Sequence, residues 1–303
     1  MFYCRICGLD VASQLALPGV VEVHAPHDEP DVVVRYGDIP SSLDRPSYVG
    51  PTWQVSGQRF LFEVPGVARF LVNDGRAITI ELNEASTKED AAPFLLGTGI
   101  GAILHQRGEL LLHGSAVALN NRAVILSGPT GAGKSTVAAA LCKAGFQFLS
   151  DDVSVIRFDS DDHPVVTSDG RQHKLWSDSI QHLSLADRQR NVVREKIHKF
   201  YVDPPRSNAA ALLPVVAVFL LDKVTPPDPP SIIQLSPVNA APLLRENVFK
   251  SSLAQHMGRN GALFGQIASL LRHSAVFRLE RARGFDRINE TLETIKAAVE
   301  ELS

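Results

Sequence analysis

The stretch Gly128-Pro129-Thr130-Gly131-Ala132-Gly133-Lys134-Ser135 decides the fold. It is a complete phosphate-binding loop, with glycines at both ends and lysine followed by a hydroxyl residue at its close. Its flanks support the reading. The apolar run Ala123-Val124-Ile125-Leu126 enters the loop as a strand, and the apolar-periodic segment from Ser135 to Ala144 leaves it as a helix. Strand, glycine turn and helix together wrap backbone N–H groups around phosphates, and the helix N-terminus adds its positive end. The residues expected to hold the nucleotide are Gly128, Pro129, Thr130, Gly131, Ala132, Gly133, Lys134, Ser135 and Thr136. Lys134 is expected on the β- and γ-phosphates and Ser135 on Mg²⁺, so ATP and Mg are the expected ligands.

The remaining composition narrows the class. The chain has 303 residues, 45% hydrophobic and 21% charged, which suits an ordinary globular protein of about two domains. A formal net charge of −3 and the lack of a basic block argue against nucleic acid as a partner. The longest apolar stretch, Ala209 to Leu221, is too short to span a bilayer and contains Pro214, so no membrane partner is expected. The N-terminal Met1-Phe2-Tyr3-Cys4-Arg5 lacks the layout of a signal peptide, and a cytoplasmic location is the expectation. Cys4 and Cys7 would point to opposite faces of a strand, and no second pair completes a zinc site. They read as structural thiols, and Cys142 as core.

Along the chain, residues 1–90 read as a β-rich accessory domain. Val32 to Tyr36, Arg59 to Pro65, Val67 to Val72 and Arg76 to Leu82 are strands, with Pro65-Gly66 and Asn73-Asp74-Gly75 as turns. The polar stretch Glu84 to Asp90 is the joint to residues 91–303. A helix from Ala91 to Gln106 ends at Arg107-Gly108. Strands are expected at Leu110 to Leu119, Arg122 to Ser127, Phe146 to Leu149, Val153 to Phe158 and Ser231 to Leu235. Pro214 to Leu221 has the near-continuous apolar run of a strand buried on both faces. Thr225 to Pro230 reads as a loop, and Ala240 to Leu271 as helix broken at Gly258 and Gly261. Val276 to Leu279 is a short strand, and Phe285 to Leu302 a closing helix.

Two features flank the loop. If Asn120-Asn121 forms a two-residue hairpin turn, paired residue numbers sum to a constant and His113 lies opposite Gly128, at the mouth of the nucleotide site. The competing reading is a histidine that merely ends a strand with a satisfied hydrogen bond. The second feature is Ser150-Asp151-Asp152, directly after an apolar strand, where open α/β sheets bind ligands. One carboxylate there would approach Mg²⁺. The other could orient a hydroxyl or take its proton, provided the strand ends and the chain turns. A histidine beside such a pair suits a kinase acting on an alcohol better than a switch or motor ATPase. Asp161-Asp162 reads as a solvated acidic turn.

Leu112-His113-Gly114, the loop from Gly128 to Ser135, and Ser150-Asp151-Asp152 together resemble the HPr kinase/phosphorylase family. The resemblance implies a carboxykinase-like P-loop kinase core, an α/β fold, following the β-rich N-terminal accessory domain. It implies that Asp151 is the acid/base residue, that His113 and Lys134 support catalysis, and that Ser135 and Asp152 stand on the metal side. It further implies a serine on a peptide or small protein as acceptor, and a homo-oligomer. Downstream of the aspartates the chain departs from the family signature, reading Arg171-Gln172-His173-Lys174-Leu175-Trp176 and Arg194-Glu195-Lys196-Ile197-His198-Lys199. The layout is similar to HPr-kinase-related proteins that phosphorylate lasso-peptide precursors. Trp176 is expected to be a packing residue. The Arg194 to Lys199 cluster is either a phosphate or acidic-substrate contact, or a solvated helix face or loop. A small-molecule alcohol kinase and a regulatory nucleotide-binding ATPase are the alternative functions.

Overall fold

A computed structural model describes residues 1–20, 22–25, 28–194, 197–205, 212–223, 229–281 and 284–302. The expected loop at Thr225 to Pro230, and Glu195 and Lys196 of the basic cluster, fall wholly or partly outside them. The chain is mixed α/β and divides into two compact units. Met1–Leu111 with Lys250–Ala262 forms the first, and Leu112–Phe249 with Leu263–Ser303 the second. The division falls at Leu111 rather than residue 90, because the helical stretch after the polar joint groups with the N-terminal sheet. Among the described residues no helix is long and apolar enough to cross a membrane.

The first unit is built on eight strands: β1 (Phe2–Ile6), β2 (Leu9–Ser13), β3 (Val32–Tyr36), β4 (Tyr48–Val49), β5 (Trp53–Ser56), β6 (Arg59–Val64), β7 (Ala68–Asn73) and β8 (Ala77–Leu82). Their order is β1-β2-β3-β8-β7-β6-β5-β4. Strands β6 to β8 follow the turns read in the sequence, where Gly66, Asp74 and Gly75 take positive φ. Alternation puts Phe60 and Phe62 on one face, and Phe62 stacks on its cross-strand partner Phe70 at 4.5 Å. Cys4 and Cys7 are buried, and neither is in a disulfide.

The expected helix from Ala91 starts earlier, because Thr87 and Asp90 form a reciprocal capping box on α1 (Lys88–Phe94). It is then interrupted. Residues 95–99 form a π turn before α2 (Ile100–Gln106). Pro93 removes a backbone donor there, and Gly97 and Gly99 weaken the following turn.

The expected strand from Leu110 to Leu119 is likewise split at His113, into β9 (Leu110–Leu112) and β10 (Gly114–Leu119). There the His113 N–H donates to Asn247 O instead of continuing a ladder. β10 turns through Asn120 and Asn121, both at positive φ, into β11 (Arg122–Ser127). The register Gly114↔Ser127 and Leu119↔Arg122 is that of the two-residue turn. After the loop come α3 (Lys134–Lys143), β12 (Gln147–Ser150), β13 (Ser154–Phe158) and β14 (Pro164–Val166).

β15 (His173–Trp176), α4 (Ser177–His182), β16 (Gln189–Arg194) and β17 (Ile197–Val202) follow, the strands making a small sheet ordered β15-β17-β16. Of the basic cluster, Arg194 ends β16 and Ile197 to Lys199 open β17, and Trp176 is 50% exposed rather than packed. β18 (Leu213–Lys223), β19 (Ser231–Gln234), α5 (Pro237–Glu246), α6 (Ser251–His256), α7 (Asn260–His273), β20 (Ala275–Arg281) and α8 (Ile288–Glu301) complete the order. The expected long helix is three. Its first break is at Lys250, in a left-handed conformation, and Gly261 sits inside α7.

In the second unit β12 pairs β10, β10 pairs β11, and β11, β18 and β20 run parallel. β18 is buried along Ala217 to Leu221, as its apolar run required. Val137, Leu141 and Cys142 of α3 pack with Val124, Phe148, Phe219, Ile295 and Val299 into one core that fixes the helix behind the loop.

Candidate active site

β11 ends at Ser127 and α3 begins at Lys134, so the loop spans the carboxyl end of a parallel strand and the start of a helix. The glycines are required by the path. Gly128 takes φ +139, and a Cβ there would lie 2.6 Å from Leu221 O on the neighbouring strand. Gly133 caps α3 in the left-handed region at φ +93. Lys134 is buried, and its ammonium donates to the loop carbonyls of Gly128 and Pro129 at 2.7 and 3.0 Å. The loop tip from Pro129 to Gly131 is exposed. Thr136 Oγ1 lies 2.9 Å from Ser179 Oγ on α4.

β12 brings the carboxylates to this loop. The strand ends at Ser150, and Asp152 takes φ +77, so the chain turns and both aspartates serve the same region. Their surroundings differ. Asp151 is 2% exposed. Its Oδ1 accepts from Ser135 Oγ at 2.8 Å, Ser115 Oγ at 2.7 Å and the Asp152 N–H at 3.0 Å. Its Oδ2 accepts from the Lys174 N–H at 2.9 Å. Asp152 has a side chain 32% exposed and pairs with the Lys174 ammonium at 3.1 Å. Ser135 is thus joined to Asp151 rather than to Asp152.

His113 lies beside the pair. Its Nδ1 is 3.1 Å from the Asp152 carbonyl oxygen and 3.9 Å from Asp152 Oδ1. A carbonyl can only accept, so Nδ1 carries the hydrogen and Nε2 presents its lone pair. Burial and the nearby Lys134 ammonium push the His113 pKa down, against the pull of Asp152. Burial works to raise Asp152, but Lys174, Arg171 and Lys199 outweigh it and hold the carboxyl well below the usual range. Asp152 is ionised at neutral pH and His113 is neutral.

A buried layer supports Asp151. Asp169 accepts from the Arg171 N–H and Nε at 2.9 and 3.0 Å, and receives the Asp151 N–H at 3.4 Å. Burial pushes the Asp169 pKa up, opposed by Arg171. His173 is fully buried, 4.0 Å from Asp151 Oδ2 and packed on the Phe148 ring. Burial depresses its pKa to about 4, with the Asp151 charge pulling the other way. Sequence reasoning missed Ser115, Asp169, Arg171, His173 and Lys174 as site residues. Ser115 could have been found, since it lies two residues beyond His113 on the same hairpin strand. The others come from β15 and the segment that leads into it, outside any phosphate-loop motif.

The residues suit a nucleotide with a divalent cation. The loop has the positive-φ glycines and an inward lysine, and the Ser135–Asp151 pair supplies the hard oxygen donors Mg²⁺ prefers. No protein-family model matches the chain, and no curated protein matches it. Among solved structures it is similar to the Hpr(Ser) kinase/phosphatase from Coxiella burnetii, at 11% identity and a TM-score of 0.33. That match covers 63% of this chain and 92% of the other. So loose a likeness carries no functional weight, which rests on the residues themselves.

Proposed function

We propose that the second unit is a carboxykinase-like P-loop core that transfers the γ-phosphoryl group of ATP to a hydroxyl, that of a serine on a peptide or small protein. The observation that carries this reading is the cluster at the loop, where Ser135 bonds Asp151 while solvent-reaching Asp152 and neutral His113 stand beside it. In the proposal the loop from Gly128 to Thr136 binds the phosphates, and Lys134 leaves its loop carbonyls for the β- and γ-phosphates. Ser135 and Asp151 hold Mg²⁺, which when bound neutralises charge on the phosphates.

The geometry favours exchanging the two aspartate roles expected from the resemblance. Asp151 is buried and held by four hydrogen bonds, only one of them on Oδ2, which suits a fixed ligand with an oxygen to offer. Asp152 can reach an acceptor, orient its hydroxyl and take its proton as the phosphoryl moves to the hydroxyl oxygen and ADP leaves. His113 holds the Asp152 backbone in its left-handed turn through the Nδ1 bond. Lys174 keeps Asp152 ionised.

Incubation with γ-labelled ATP, Mg²⁺ and host lysate, followed by mass spectrometry, tests the reading. Label on a serine of one peptide is the expected result. Label only in free phosphate would replace it with a regulatory ATPase, and label in a metabolite with a small-molecule kinase.

A further inference from the structure

Arg281 ends β20, two strands from the phosphate loop in the parallel run β11-β18-β20. It is 8% exposed, yet it reaches the loop. Its Nη1 donates to Ala132 O at 3.4 Å and its Nη2 to Gly284 O at 3.0 Å, while Nε has no partner among the described residues. A Cβ on Gly133 would lie 2.7 Å from Nη1, so the guanidinium fills the space beside the cap of α3 that this glycine leaves. No carboxylate pairs with it among the described residues. Burial alone acts on its ionisation, in the direction that disfavours the charge.

Facing only neutral carbonyls among the described residues, this buried cation is in a costly arrangement, and removing it should relieve the free protein. The position of the charge shows what would compensate it. Asp151 and Asp152 follow β12, on the β10 side of β11. Arg281 is the last residue of β20, on the β18 side. The loop lies between them. A triphosphate with its γ end at Lys134 and the aspartates therefore has its α-phosphate and ribose end toward Arg281.

We infer that Arg281 is a nucleotide-binding residue whose missing counter-charge is supplied by the α- and β-phosphates of the bound nucleotide. The inference rests on the reading of the loop as a triphosphate site. It differs from the contacts that a phosphate loop itself provides, since β20 carries no part of that motif.

Calorimetric titration of the full chain with Mg-ATP and Mg-ADP tests it, alongside the melting temperature of the nucleotide-free protein. Arg281→Gln and Arg281→Met both remove the charge, and Met also replaces the buried stem with apolar volume. Each is expected to weaken ATP and ADP alike by at least about tenfold, the scale of one charge-assisted phosphate contact. The nucleotide-free melting temperature should hold or rise. Wild-type affinity with a lowered melting temperature would show a purely structural arginine and overturn the inference. Loss confined to ATP would overturn the placement at the α and β end. Failure of the wild-type chain to bind either nucleotide would overturn the phosphate-loop reading and this inference with it.

Discussion

At the scale of single residues, the site separates groups by the bonds they already have. Lys134 is held on loop carbonyls by bonds of 2.7 and 3.0 Å, a poised position for phosphate. Lys134→Ala should abolish ATP turnover and weaken ATP at least about tenfold in a direct binding assay; full turnover would refute the loop's role. The aspartates should part company. Asp152→Asn is expected to keep Mg-ATP affinity and lower transfer by about a hundredfold or more, whereas Asp151→Asn should lower Mg²⁺-dependent affinity itself. The reverse pattern, read from binding and single-turnover measurements, would restore the roles the resemblance implied. His173 gives a pH prediction. Its pKa falls from about 6.5 unfolded to about 4 folded, so the folded state binds fewer protons. Its stabilisation is complete above the unfolded value and is lost as pH drops through that window, with His113 acting in the same direction. Urea midpoints measured from pH 7 to 4 should fall more gently in His173→Asn than in wild type, and parallel curves would exclude His173 as a source.

At the scale of elements, what could be read from the sequence followed local physics. The two-residue turn at Asn120-Asn121 and the strands before and after it are set by side chains tolerant of positive φ and by apolar alternation. Gly128 is legible as part of a motif, but its necessity appears only with β18 in place. Gly128→Ala would bring a Cβ to 2.6 Å from Leu221 O at φ +139. It should lower stability by about 1–3 kcal/mol and impair nucleotide binding, measurable by denaturation and titration. An unchanged midpoint would show that the loop relaxes freely. The split of the expected strand at His113 was not legible, because its N–H finds Asn247 O, far away in sequence. The same holds for β15. Arg171 to Lys174 carries no local motif, and its value arises only when the fold sets the Lys174 N–H and ammonium against the two aspartates. Trp176 misled for a related reason, since aromatic size predicts burial on average but not at the outer end of a short edge strand.

At the scale of the molecule, the units are not contiguous pieces of chain. The segment Lys250–Ala262 belongs to the first unit although it follows most of the second. Within that unit the His256 ring lies 3.7 Å from Tyr48 and 5.5 Å from Trp53, and Arg259 donates to Glu109 O at 2.8 Å and Gly108 O at 2.6 Å. Residues 1–111 expressed alone should therefore melt below the same fragment joined by a short linker to residues 250–262. Trp53 is the only tryptophan in either piece and reports the comparison. Equal melting would mean that the late segment adds nothing.

The same interleaving sets a timetable for synthesis. A ribosome adding roughly 5–20 residues per second needs on the order of ten seconds to pass from residue 111 to residue 262. For that interval the first eight strands have left the tunnel with Tyr48 and Trp53 still waiting for His256. The first unit is thus unable to finish until the ribosome has passed through the whole of residues 112–249.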